Sequence, residues 1–315
     1  MSKKSGVSAR PKKTPLLVAK KTQEKRLKAL EARDRLLPCL VKYNAIVEQL
    51  RAGGDKNPER SAMAYLTDIL RGTYQTVLVQ IAAAGKTGIG AQNAVKRSAG
   101  TNFQGLCEYA VLKWLQTNDL PIAIGPNAPK TMKDELTIFG QDADAGEFSV
   151  EPDIDISLWV PDGNGSSPIL FLSAKTSLVD RAGQAARWKL YFDLHQTTCQ
   201  HIKDVSDCPI HRTQIKIKTK HTIAHSIVTA NIYKIDTTQP HGELTSGQCR
   251  NNTYMFKHKF TTRNDAQEIR PPAWKSFSDF PSLIESVFRP YLDYQQETSA
   301  SPDIQRVIPL VPTVS

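Results

Sequence analysis

The sequence predicts an α/β fold: a central mixed β-sheet flanked by helices, with a helical extension on its N-terminal side. Three patterns predict it. Apolar residues recur at helical spacing up to about residue 118. Two apolar runs, 148–160 and 169–174, flank the turn Pro161-Asp162-Gly163-Asn164-Gly165, a strong β-hairpin signal. Helical spacing returns over 178–194 and 282–294. Helices before and after one sheet make a single α/β domain the expected architecture.

Residues 1–20 read as a basic disordered tail of Lys, Ser, Pro and Gly. Lys21 to about Leu50 reads as helix interrupted at Pro38, and Gly53-Gly54-Asp55 as a break. Over 59–84, Ala62, Tyr65, Leu66, Ile69 and Leu70 share one helical face. A loop is expected at 83–90. Thr101 and Asn102 then offer a helix start, and Phe103, Leu106, Cys107, Ala110, Val111 and Trp114 form its stripe, with Glu108 on the flank. That helix ends near Asn118, before a Pro/Gly-rich loop at 121–129. After the hairpin and the 178–194 helix come β-like runs at Thr213–Lys218 and Thr222–Tyr233, and 299–315 reads as a flexible C-terminal tail. The expected divisions are 1–20, a helical region 21–97, the main domain 98–298 and the tail 299–315. There is no internal repeat.

Composition limits the function classes. The 315 residues are 40 % hydrophobic and 23 % charged, ordinary for a globular chain and unlike disordered or fibrous proteins. No apolar run approaches the roughly 18 residues that a membrane span needs, and the Lys-rich start lacks the apolar stretch of a secretory signal. No membrane partner is expected. Five scattered cysteines argue against a disulfide framework, so a reducing cytoplasm is the expected compartment. The net charge of +10 is uneven: residues 1–35 carry twelve Lys/Arg against Glu24, Glu31 and Asp34, and the other 280 residues are nearly balanced. A basic arm suits a polyanion such as nucleic acid, or serves only to solubilise.

The hairpin carries the chemistry. A turn centred on Asn164 pairs residues whose numbers sum to 328, which sets Asp153 opposite Lys175 and Asp155 opposite Ser173. With period-two alternation these four share one face, and Ile154, Ile156, Leu158, Leu170, Leu172 and Ala174 share an apolar one. Two carboxylates and an ammonium then meet at one end of the hairpin. Carboxylate oxygens suit Mg²⁺, and a neighbouring Lys can position a water or stabilise charge on a phosphate. For a hairpin with these residues alone, a salt-bridged strand pair on a solvated sheet face is the ordinary reading.

Pro152-Asp153, then nineteen residues, then Ser173-Ala174-Lys175 resembles the PD-(D/E)xK nuclease signature. It is similar to the variant, common among type II restriction endonucleases, in which Ser replaces the second acid. The continuation Lys175-Thr176-Ser177-Leu178 into a helix, and the upstream Gly100-Thr101-Asn102-Phe103-Gln104-Gly105 with Glu108, resemble the same enzymes. The resemblance covers about residues 98–192. It implies a restriction-endonuclease-like core and roles position by position. Asp153 is the expected metal ligand, Lys175 the group assisting the attacking water, Ser173 the member replacing the acid, and the Ala174 carbonyl a further ligand. Asp155 is a supporting neighbour.

One departure stands out. The Ser-type pattern supplies its missing acid from a Glu on the helix after the Lys, yet here Arg187, Trp188 and Lys189 occupy that region. No Glu lies between Glu151 and Glu243. Glu108 is the first candidate for that acid, as catalytic residue and ligand, with Asp180 and Asp193 behind it. Asp180 and Arg181 occupy the place where such enzymes read bases, or Asp180 serves only the helix start. Gln184, Arg187 and Lys189 could reach phosphates. Lys216, Lys218 and Lys220 alternate with Ile215 and Ile217, as a strand lining a DNA groove or as a Lys-guarded sheet edge.

Two other patterns carry His, Cys or Gly at suggestive positions. His195, Cys199, His201, Cys208 and His211 contain conceivable zinc pairs, but the spacing matches no known module. Gly85-Lys86-Thr87-Gly88 lacks the first glycine of a phosphate loop and follows a helix, so it is not one. The resemblance implies a Mg²⁺-dependent type II restriction endonuclease, a cytoplasmic homodimer cutting double-stranded DNA, working beside a cognate DNA methyltransferase. The alternatives are a PD-(D/E)xK nuclease of repair or recombination, and a non-catalytic DNA-binding relative.

Overall fold

The computed structural model describes residues 14–127, 129–142, 146–162, 166–176, 182–196, 216–230, 253–263 and 273–300. Helices α1 (Pro15–Glu31), α2 (Leu37–Ala52), α3 (Pro58–Ala62), α4 (Leu66–Ala83) and α5 (Gly88–Thr117) come first. Strands β1 (Ala123–Gly125), β2 (Ile138–Asp142), β3 (Gly146–Val150), β4 (Ile156–Trp159) and β5 (Ile169–Lys175) follow, with the short helix α6 (Lys133–Leu136) before β2. Helix α7 (Ala182–Gln196), strands β6 (Lys216–Ile217), β7 (Ile223–Thr229), β8 (Lys259–Thr261) and β9 (Trp274–Ser276), and helix α8 (Phe280–Ala300) complete the described elements.

The central sheet has six strands in the order β1-β4-β5-β7-β8-β9. The β1-β4-β5 half is antiparallel, and β5, β7, β8 and β9 run parallel. Helices cover both faces, as a sheet with apolar residues on each side requires. On one face Leu170, Leu172 and Ala174 join α2, α4, α5 and α8 in one core that also holds Phe260, Phe277 and Phe280. On the other, Ile169 and Phe171 pack on Trp188 and Phe192 of α7. This is the expected α/β architecture. Among the described residues no helix is long and apolar enough to cross a membrane.

Several expectations need correction. Helix α1 starts at Pro15, ahead of Lys21, because Thr14 caps it, Pro15 suits its first position and Ala19 is buried. The helix breaks at 32–36, and Pro38 sits in the first turn of α2, where proline costs no hydrogen bond. Helix α5 begins at Gly88, not at Thr101, because Ala94 and Val95 pack on Val77 and Ile81 of α4. The boundary drawn at residue 98 therefore falls inside one helix, and the N-terminal helices share the sheet's core. The loop at 121–129 contains β1, which Gln23 of α1 anchors by donating to the carbonyls of Leu120 and Ile122.

The largest correction concerns the run 148–160. It is not one strand: residues 151–155 interrupt it at Pro152, which lacks an N–H for a ladder. β3 joins a second, three-stranded sheet of order β3-β2-β6, and β4 joins the central one. The final helix spans 280–300 rather than 282–294. The expected helix start at 178, the strand residues 213–215 and 231–233, and the tail 301–315 lie outside the described residues.

Gly105 lets α5 approach the 32–36 segment. A Cβ there would stand 2.8 Å from Leu36 Cδ2, closer than carbon atoms pack. Gly105→Ala is expected to cost about 1–3 kcal/mol, read as a lower urea midpoint at unchanged m-value; an unchanged midpoint would contradict this packing.

Candidate active site

The β4–β5 ladder ends at Ile156↔Leu172, but β5 runs on to Lys175, paired on its other side by β7 as far as Lys175↔Thr229. The β4 side of Ala174 therefore needs new partners. Asp155 supplies one. Its Oδ2 accepts the Ala174 N–H at 2.9 Å and lies 2.7 Å from Lys175 Nζ. Its own carbonyl accepts the Gln104 Nε2 of α5 at 2.5 Å. In an antiparallel pairing a residue's N–H and C=O face the same neighbour, so the Ala174 carbonyl opens on the Asp155 side too.

Both charges are largely buried, with side-chain exposures of 6 % for Lys175 and 15 % for Asp155. Burial pushes the Asp155 carboxyl above its ordinary value; Lys175 and the Ala174 N–H pull it back, and the Asp153 carboxylate raises it further. Asp153 is therefore near enough to be felt, yet it is exposed. Its Oδ2 accepts Gln184 Nε2 of α7 at 2.9 Å.

The predicted register is right: the observed pairs sum to 328. The shared face is not, because the ladder stops short of residues 153–155. Ile154 packs in the α7-side core, away from Ile156 and Leu158. Asp155 is the carboxylate on Lys175, where Asp153 was expected. Ser173 is buried with its Oγ 3.0 Å from His225 Nε2, so it faces β7. His225 sits edge-on to Phe171 and Phe256, and burial, with Lys189 and Lys175 nearby, lowers its pKa to about 3. It is neutral at physiological pH.

Glu108 is fully buried and bonded through both oxygens to Arg26 of α1, one of them at 2.7 Å from the guanidinium. Asp193 pairs with Lys189 at 2.6 Å. Arg187 is exposed. Lys216 and Lys218 are exposed in and just after β6, the edge of the second sheet, with Lys218 Nζ 4.6 Å from the centre of the Phe139 ring. Asp180 and Arg181 lie outside the described residues, as do Cys199, His201, Cys208 and His211. His195 lies 3.2 Å from the Thr219 carbonyl. Sequence reading missed Arg26 and His225, and it gave Gln104 no role of its own; their partners lie far off in the chain, so no local pattern marks them.

The carboxyl ends of β7 and β8 are closed by α4. Thr67 hydroxyl bonds the Ala230 carbonyl at 2.9 Å and Thr262 Oγ1 at 2.8 Å. Exposed Asp153 lies on the β4–β5 side. Among the described residues no three His, Cys, Asp or Glu side chains gather to hold a metal ion. The oxygens of Asp153, Asp155 and the Ala174 carbonyl are hard donors that fit Mg²⁺ in kind, since Mg²⁺ is commonly held by one or two carboxylates plus substrate phosphates. Glu108 fits poorly, both of its oxygens being engaged.

Two outcomes follow from this electrostatics. Arg26→Leu leaves Glu108 buried without a partner and is expected to cost about 3–5 kcal/mol, while Arg26→Leu/Glu108→Leu recovers most of it; equal losses in denaturant melts would contradict the pairing. For His225 the folded pKa lies below the unfolded one, so its contribution is full above about pH 6.5 and is lost as pH falls toward 3. Between pH 7 and 5 that amounts to about 2 kcal/mol. His225→Gln should flatten that part of the stability profile, and an unaltered profile would refute it.

A family model described as BsaWI restriction endonuclease type 2 matches residues 129–311, more than half of the chain. The match takes in Asp153, Asp155, Ser173, Lys175 and α7, and it begins after α5. No curated protein matches the chain.

Proposed function

Since the chain belongs to the BsaWI type 2 restriction endonuclease family, and is thus a DNA endonuclease, we propose that it cleaves double-stranded DNA at a specific sequence in a Mg²⁺-dependent reaction. The Asp155–Lys175 contact of 2.7 Å at the open end of β5 carries this reading. It supports a PD-(D/E)xK site in the Ser-x-Lys form, built from Asp153, Asp155, Ser173-Ala174-Lys175 and the start of α7.

Asp153, Asp155 and the Ala174 carbonyl would hold Mg²⁺, which supplies Lewis-acid stabilisation of charge on a phosphate. Lys175, pinned by Asp155, offers its Nζ protons to the attacking water or to a phosphate oxygen. Hydrolysis breaks one P–O ester bond, forms a new P–O bond to the water oxygen and releases a phosphomonoester end and a hydroxyl end. Ser173 holds the strand to His225. Glu108, taken up by Arg26, serves structure rather than metal in this account.

Arg187, Gln184, Lys216 and Lys218 would contact the DNA backbone, and Asp180 and Arg181, which precede α7 in the sequence, would read bases. A palindromic site implies a two-fold homodimer. A cognate DNA methyltransferase would protect the host's own copies of the site.

Plasmid or phage DNA incubated with the full chain is expected to give discrete bands with Mg²⁺ and none with EDTA. Asp153→Ala and Lys175→Ala should each lower the rate by at least about a thousandfold. A smear favours a non-specific repair-type nuclease. DNA bound but intact favours a non-catalytic relative.

A further inference from the structure

Asp155 sits where it does for a reason the sheet does not supply. Residues 151–155 belong to neither sheet, and their Pro152 lacks a donor. The carboxylate meets Ala174 and Lys175 only if the backbone turns at Asp155, just before β4 begins. The hydrogen bond that holds this turn comes from outside the sheet, from Gln104 Nε2 to the Asp155 carbonyl.

Gln104 is fixed in turn. It lies in the middle of the thirty-residue helix α5, where three neighbours lock the helix to the N-terminal region. Asn102 Nδ2 donates to the Arg35 carbonyl at 2.8 Å, Gly105 lets Leu36 pack closely, and Glu108 is clamped by Arg26. A side chain on so constrained a turn delivers its amide to one place.

We propose that Gln104 is a positioning residue for this site: its amide holds the Asp155 backbone, and so keeps the carboxylate on the Ala174 N–H and the Lys175 ammonium. Gln104 acts on the site through the Asp155 backbone. Its importance for cleavage rests on the reading above, but its hold on Asp155 does not.

Two variants separate the hydrogen bond from packing. Gln104→Met keeps the length and loses the donor. Gln104→Glu keeps the length and donates only when protonated. The first readout is amide hydrogen exchange in the full chain. Ala174 N–H is bonded to the Asp155 carboxylate and Leu172 N–H lies in the ladder, so Gln104→Met should speed exchange at Ala174 by about tenfold and leave Leu172 unchanged. Unchanged exchange at Ala174 overturns the proposal whether or not the protein cuts DNA. Should the Met variant fail to fold, the Glu variant gives the same comparison at neutral pH.

The second readout is single-turnover cleavage of plasmid DNA with Mg²⁺. The Met variant should cleave about 10–100-fold more slowly with DNA affinity in EDTA unchanged. The Glu variant's rate relative to wild type should climb as the pH is lowered and its carboxyl protonates, while the Met ratio stays flat. A Met variant at the wild-type rate, or a Glu ratio as flat as the Met one, overturns the proposal. A wild type that cuts nothing overturns the nuclease reading instead, and hydrogen exchange then decides the role of Gln104.

Discussion

A strand that outlives its partner shapes this protein. β5 pairs with β7 along its whole length but loses β4 after Leu172, so its last residues carry polar groups into a mostly buried setting. Unpartnered backbone groups there would be costly. Asp155 resolves this by turning its carboxylate into the vacant ladder position, and Lys175 neutralises the charge so introduced. The open ladder position and the buried charges are thus settled by the same two side chains.

The N-terminal helices are part of that solution. Their core is continuous with the sheet's, and α5 carries the contact to Asp155. Burying Glu108 and Arg26 together gains little net energy, because desolvation offsets the attraction. It does fix how α1 and α5 lie against each other, since either charge alone in that setting is far worse. The family match begins only after these helices. Parts of the chain outside the matched region therefore contact the candidate site.

Much of this was legible in the sequence, and the misses have physical causes. Alternation and the Asp-Gly/Asn-Gly turn gave the β4–β5 register to the residue, because turn geometry and a buried face leave no slack. Alternation said nothing of where the ladder ends. That depends on Pro152 and on a neighbouring sheet, so Asp153 and Asp155 exchanged places relative to Lys175. The helical stripe around Phe103 and Trp114 was plain, whereas the first turns of α5 looked like loop because of their glycines. Glu108 was visible as an acid near the hairpin, but its partner Arg26 lies 82 residues away in the chain. Pairings over such separations leave no local trace.

The proposed nuclease site requires the ladder end to gather a metal ion onto DNA. Electron paramagnetic resonance of Mn²⁺, a substitute for Mg²⁺, can report this without cleavage as the readout. Mn²⁺ would be titrated into the full chain with a plasmid fragment carrying its cleavage site, in wild type and in Asp153→Ala. Bound Mn²⁺ is expected to depend on DNA in the wild type and to be lost in the variant. Equal binding in both proteins would contradict it and place the metal elsewhere.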